Sequence, residues 1–162
     1  MASHIPDLTK DNISLYLMPV GFMIALAPRF YAANTDKKAT NGKDLFRNLN
    51  PRDFTTIVRE DQAIDQKTKL RIARAEAAQA NGFENLGLFA AAVTAGSLAR
   101  VDASIVNGLT VGYLVSRFIY NHIFIYNDLV PTAARTVTYL GGVGMLMALF
   151  VKAGQKLSNS IL

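Results

Sequence analysis

The sequence predicts an all-α fold, an integral membrane four-helix bundle in a single domain. Three observations lead there. The 162-residue chain is 51% hydrophobic with a mean hydropathy of +0.20, and 18% of it is charged, against about 25% for an ordinary soluble domain. Its charge is segregated. Eleven of the seventeen basic residues and six of the twelve acidic ones lie between Arg29 and Arg74, so that segment carries the whole net charge of +5. Elsewhere single charges stand between long uncharged runs, and a helix needs about 20 mostly apolar residues to cross a bilayer core.

The elements follow in order. Residues 12–33 supply a first span, interrupted by Pro19 and Pro28. Residues 72–98 supply a second with a polar first half, and 103–127 a third whose one formal charge is Arg117. Residues 131–151 supply a fourth, broken by Arg135. Its run VTYLGGVGMLMALFV lacks the polar stripe that a soluble bundle helix shows. Short connectors near 99–102 and 128–130 join the later spans.

The loop 34–70 begins turn-rich and then reads Asn50-Pro51-Arg52-Asp53-Phe54, where Pro51 interrupts helix and Asp53 caps a short one. Its positive charge places it in the cytosol, with both termini on the far side. The polar N-terminus MASHIPDLTKDN predicts no cleavable signal peptide. Gly108 and Gly112, spaced as GxxxG, and Gly141, Gly142 and Gly144 predict close helix contacts.

Composition removes several function classes. Such hydrophobicity excludes a disordered chain, and the absence of cysteine excludes a disulfide scaffold. The apolar spans disfavour a nucleic-acid partner despite a pI near 9.6. Two histidines, His4 and His122, make no metal cluster. Gly141-Gly-Val-Gly144 lacks the lysine of a phosphate loop, and no ring of residues points to an ion channel.

Ionisable groups inside a span normally face protein or a water-filled cavity. Arg74, Glu84, Arg117 and Arg135 qualify. Helical spacing puts Arg74, Ala77, Asn81 and Glu84 on one face of the second span, and Tyr113, Arg117, Tyr120 and Phe124 on one face of the third. Arg135, Thr138 and Tyr139 fall together near the start of the fourth. Depth brings these groups together in the cytosolic half, as a net-cationic pocket with aromatic walls. The competing reading is structural: Glu84 pairs with Arg117, Asn81 bonds across helices, and Arg74 and Arg135 reach to headgroups.

The second span also carries a signature. Arg74-Ala-Glu-Ala-Ala78-Gln79-Ala-Asn81-Gly-Phe-Glu84 resembles the Arg-Ala-(His/Gln)-x-Asn-x-x-Glu pattern of the membrane-associated proteins in eicosanoid and glutathione metabolism, the MAPEG family. The resemblance extends over most of the chain, through the Asn50-Pro51-x-Asp53 loop, the arginine inside span three, and Arg135-Thr-Val-Thr-Tyr139 opening span four. The loop is similar to that of divergent microbial eukaryotic members. Ala77 stands where the family pattern has an arginine, and Phe124 brings no hydroxyl.

The resemblance implies a homotrimer with glutathione sites at the subunit boundaries, in the endoplasmic reticulum membrane. Asn81 and Glu84 would hold the polar ends of glutathione, Arg117 would brace the site, and Tyr120 would line it, with Gln79 and Tyr139 belonging to the same motifs. Arg135 and Thr136 would stand near the sulfur, Asp53 near the reacting centre, and Arg74 would substitute for the arginine missing at Ala77.

Three functions are consistent with these residues. The first is a membrane-embedded, glutathione-dependent transferase, isomerase or peroxidase acting on a lipophilic electrophile. The second is a glutathione-independent cyclase or isomerase of a hydrophobic metabolite, and the third a non-catalytic membrane adaptor.

Overall fold

The computed structural model describes residues 7, 9–42, 51–128 and 131–161. Among them the chain is all-helical, with no strand. A 3-10 turn, Ser14–Leu17, leads into α1, Met18–Ala39; a second, Pro51–Asp53, leads into the short α2, Phe54–Glu60. The long helices α3, Gln66–Leu98, α4, Ala103–Ile125, and α5, Thr132–Ile161, follow. Helices α1 and α3 pack against each other, as do α4 and α5, and α3 touches all three of the other long helices.

Three helices outrun the expected spans, two of them for a local reason. Helix α1 continues through residues 34–39, which the sequence reading placed in a turn-rich loop. Lys37 and Lys38 fall in its last turn, where cations suit the negative helix end. It stops where Asn41 and Gly42 turn to positive φ, 52° and 81°, and Gly42 N–H returns to the Lys37 carbonyl. Helix α3 begins at Gln66 because the Asp65 carboxylate accepts from Thr68 N–H at 3.0 Å. The Thr68 hydroxyl, and then that N–H, hold the Asp65 carboxyl below its ordinary range. Helix α5 runs ten residues past the expected end at 151. Asp53 does occupy the N-cap position of α2, but its side chain makes no capping hydrogen bond. Asn50, the first residue of the loop motif, lies outside the described residues.

Two stretches, Ser14–Ala39 and Ala133–Asn159, are long and apolar enough to cross a membrane. Helix α4 differs because its polar residues are turned inward. Asn107, Thr110, Arg117 and Asn121 are buried, whereas Val111, Val115, Ile119 and Phe118, 67% accessible, face outward. A soluble helix has the opposite distribution, and an apolar exterior around polar contacts suits a lipid surround.

Close packing sets the helix spacing. A Cβ on Gly82 of α3 would lie 3.0 Å from Ala25 Cα of α1. Between α4 and α5, a Cβ on Gly112 would meet Met145 Sδ at 2.8 Å, and one on Gly142 would meet Ser116 Oγ at 2.5 Å. Gly108, Gly141 and Gly144, expected at helix contacts, have nothing near them. One glycine of each group makes the contact and the others face outward. Phe89 and Tyr113 stack at 4.8 Å in the centre, and Val93, Val106, Leu146 and Leu149 complete the core.

Pro28, inside α1, has no N–H to give the carbonyl four residues earlier. That carbonyl is Ile24's, and Asn121 of α4 donates its side-chain amide to it at 2.9 Å. Where no water reaches, an unpaired carbonyl costs free energy, so this bond fixes α4 beside the proline. Asn121→Ala therefore lowers stability in detergent by about 1–3 kcal/mol. The loss shrinks when Pro28→Ala restores the missing N–H. Thermal unfolding of the two single variants and the double variant measures the coupling, and a cost indifferent to Pro28→Ala would assign Asn121 a packing role instead.

Candidate functional site

Helices α3, α4 and α5 leave a cleft of about 210 Å³ between them, lined by Asn81, Tyr120, Arg135, Thr136 and Tyr139. All five are residues that the sequence reading selected. Asn81 lies mid-way along α3, while Arg135, Thr136 and Tyr139 occupy the first turns of α5. Antiparallel packing of α4 and α5 then brings Tyr120, near the α4 C-terminus, opposite Tyr139, with ring centroids 5.9 Å apart. Tyr120 also tilts against Phe124 at 5.6 Å.

Arg117, 5% accessible, lies behind the cleft wall. Its guanidinium donates to Asn81 Oδ1 at 2.5 Å and lies 4.5 Å from the Tyr120 ring centroid and 5.9 Å from that of Tyr139. A charge-assisted hydrogen bond and two aromatic faces thus meet the charge of a nearly dry cation. The Glu84–Arg117 pair of the competing structural reading does not form. Glu84 is exposed on α3, one turn beyond Asn81, and makes no ion pair among the described residues. The guanidinium reaches the neutral amide of Asn81, while the carboxylate lies on the exposed face of α3, so the interior holds one charge rather than two.

The Arg117 bond determines what Asn81 can offer. Its Oδ1 is turned to Arg117, so the polar group it can add to the cleft as a donor is the amide Nδ2. Asn85, not selected from sequence, stands one turn further along α3. It donates to the Asn81 carbonyl at 2.8 Å and lies 3.5 Å from the Tyr139 hydroxyl. The i, i+4 spacing of Asn81 and Asn85 was its only sequence signal.

Arg135 is the cation on the cleft wall. Its guanidinium sits 5.1 Å from the Phe124 ring centroid, so the hydroxyl-free ring serves as its platform. Among the described residues it has no carboxylate partner. The exposed Thr136 hydroxyl follows it directly. The cleft therefore presents a cation, a hydroxyl and an amide N–H donor beside two phenol rings. Such a set receives an anionic or electron-rich group, and the apolar helix surfaces around it favour a lipophilic one.

The other selected residues lie elsewhere. Arg74 is about two helical turns before Asn81 and donates to Asp128 Oδ1 at 2.7 Å, with a longer contact to the Ile125 carbonyl. Asp128, beyond the end of α4, was not foreseen as its partner. Arg71 approaches the same carboxylate at 3.8 Å. The Asp128 carboxyl lies below its ordinary range, held there first by its own backbone N–H and then by Arg74. This pairing is complete at neutral pH and is lost as the pH falls through that lowered value. Gln79 is half-buried on α3, and Asp53 is exposed ahead of α2; neither lines the cleft.

Asn81→Leu would leave Arg117 against aromatic faces alone, with an expected loss of about 1.5–3 kcal/mol in thermal unfolding. Adding Arg117→Met should recover part of that loss, since replacing both partners by apolar groups costs less than orphaning one. Additive losses would mean that the two side chains are energetically independent.

Comparison with known proteins gives one match. The MAPEG family model matches residues 14–155, most of the chain. No curated protein and no solved structure matches it.

Proposed function

Since the chain belongs to the MAPEG family, we propose that it is a membrane-embedded enzyme that uses glutathione to conjugate, reduce or isomerise a lipophilic electrophile. The observation that carries this reading is Arg135, a guanidinium on the cleft wall without a carboxylate partner among the described residues. A cation so placed is suited to an incoming anion rather than to holding the fold.

The residues fit the group. Glutathione, when bound, supplies a thiolate nucleophile. Arg135 would favour the ionised sulfur, since a neighbouring cation lowers a thiol pKa from about 8.5 towards neutrality. Thr136 adds a hydroxyl donor beside it, and Asn81 Nδ2 suits a carboxylate or peptide carbonyl. Arg117 holds that amide in position. Tyr120 and Tyr139 cover the inner wall and keep water from it.

At about 210 Å³ the cleft is smaller than the roughly 300–1,000 Å³ of ordinary ligand sites. This supports a homotrimer in which a neighbouring copy completes each site. The exposed face of α3 supports it too: Ala77, Ala80, Gly87 and Ala91 surround Glu84 with side chains small enough for close helix approach. Glu84 would then act across or beside the boundary. We place four spans at about 12–33, 72–98, 103–127 and 131–151, with loop 34–70 cytosolic and the protein in the endoplasmic reticulum.

One observation favours a second reading. Ala77 offers no charge, and Arg74 is committed to Asp128 rather than to the cleft. A glutathione-independent cyclase or isomerase of a hydrophobic metabolite would need no such clamp, using Arg135 to stabilise developing negative charge and positioning to do the rest.

Glutathione titration of the detergent-purified protein, read by calorimetry and thermal shift, separates the two. We expect stabilisation of the unaltered protein at millimolar glutathione. Arg135→Ala should bind about 10- to 100-fold more weakly, the loss of one charge-assisted hydrogen bond, and Glu84→Gln should also weaken binding. If millimolar glutathione leaves the melting temperature unchanged, the thiol reading is lost and the second takes its place.

A further inference from the structure

A second, larger cavity lies away from the cleft and shares no lining residue with it. It is a groove of about 370 Å³ between α1 and α4, with Met23, Ala27, Pro28 and Phe118 among its walls. The groove exists for a structural reason. At Ala27 and Pro28 helix α1 presents a methyl group and a compact ring, while Asn121 is turned to the Ile24 carbonyl. No long side chain from either helix fills the space between them.

Helices α1 and α4 run in the same direction, so their C-terminal ends meet at one end of the groove. There Tyr31 and Tyr126 pack edge to face at 6.0 Å. Arg71 lies over the Tyr126 ring at 4.9 Å, and Arg74 follows one turn later. Between them these two arginines have Asp128, 2.7 Å from Arg74 but 3.8 Å from Arg71. Among the described residues, one carboxylate against two guanidiniums leaves a surplus positive charge at the groove's mouth. Arg71 is the looser partner, and its Nε finds no acceptor. Both side chains keep 27% of their surface accessible.

In a bilayer the apolar walls alone select nothing, because lipid tails are as apolar as the groove and no hydrophobic transfer is gained. Selection must come from the charged mouth. Basic pockets between helix ends on the cytosolic side attract anionic headgroups. We propose that the α1–α4 groove holds one acyl chain of an anionic phospholipid whose phosphate rests on Arg71. This site needs the bilayer but not glutathione, and it stands whether or not the cleft binds a thiol.

The probes are dioleoyl phosphatidylserine and dioleoyl phosphatidylcholine, titrated into the full chain in neutral detergent and read by thermal shift and native mass spectrometry. The serine lipid should bind about fivefold more tightly, the effect of one surplus basic group. Arg71→Gln should abolish that preference, and Arg71→Lys should retain it even if both variants melt earlier without lipid. Ala27→Phe, at an exposed groove position, should weaken both lipids while leaving glutathione binding and lipid-free melting unchanged. Glycerol 3-phosphate, a headgroup without a chain, should not shift the melt. Equal binding of the two lipids, a preference that survives Arg71→Gln, or full stabilisation by glycerol 3-phosphate would each overturn the proposal.

Discussion

Everything in this protein depends on satisfying polar groups where water is scarce. The bond from Asn121 to the Ile24 carbonyl is the clearest case, because Pro28 creates the need and α4 meets it across a helix boundary. It ties α1 to α4 at one depth. The Arg117–Asn81 bond ties α4 to α3 at another. At the far end Asn107 accepts from Ile13 N–H and donates to the Asp11 carbonyl, fastening the N-terminal segment to α4. All three anchors lie on α4, whose polar side is therefore buried and whose exposed side is apolar.

The same accounting defines the cleft. Once Arg117 has taken Asn81 Oδ1, and Arg74 has taken Asp128, these arginines are structural cations with assigned partners. Among the described residues Arg135 is left without a carboxylate on the cleft wall, and Glu84 without an ion pair on the outer face of α3. A free charge of each sign, on surfaces that the single chain leaves open, has a different meaning from a buried pair. The pair would have closed the interior and left nothing for a ligand. Neutral Asn81 permits Arg117 to be buried without consuming the one nearby carboxylate.

Much of this was legible in the sequence. Helical spacing plus depth brought Asn81, Tyr120, Arg135 and Tyr139 together and the family resemblance added Thr136, while the uncharged runs and signature pointed to the all-α class and the family. Other features were not legible, and for physical reasons. Periodicity assigns a residue to a face but does not choose among partners within reach, so it left a Glu84–Arg117 pair open as an alternative where Asn81 in fact takes the guanidinium. Composition marks 34–39 as polar, yet a polar helix end with lysines in its last turn is stable, and Asn41-Gly42 is the true stop. Three glycines near the start of span four look equivalent in sequence; which one meets Ser116 depends on a rotation of α5 that no local signal specifies.

Asp128 bears most directly on what the cleft can offer a ligand. A single carboxylate past the end of α4 draws Arg74 and Arg71 to that end of the molecule. Had Arg74 been free, it would still have been about 10 Å along α3 from Asn81, too far to clamp a group held there. Ala77 brings no charge, and neither arginine of α3 lines the cleft. Cationic recognition in the cleft then falls to Arg135 alone among the lining residues. One guanidinium can meet one anionic centre in a bidentate way. A ligand with several charged ends would therefore need cations from a neighbouring copy, whereas a lipophilic ligand with one polar head would not. The chemistry of the cleft turns on that difference: whether its ligand carries one charged end or several.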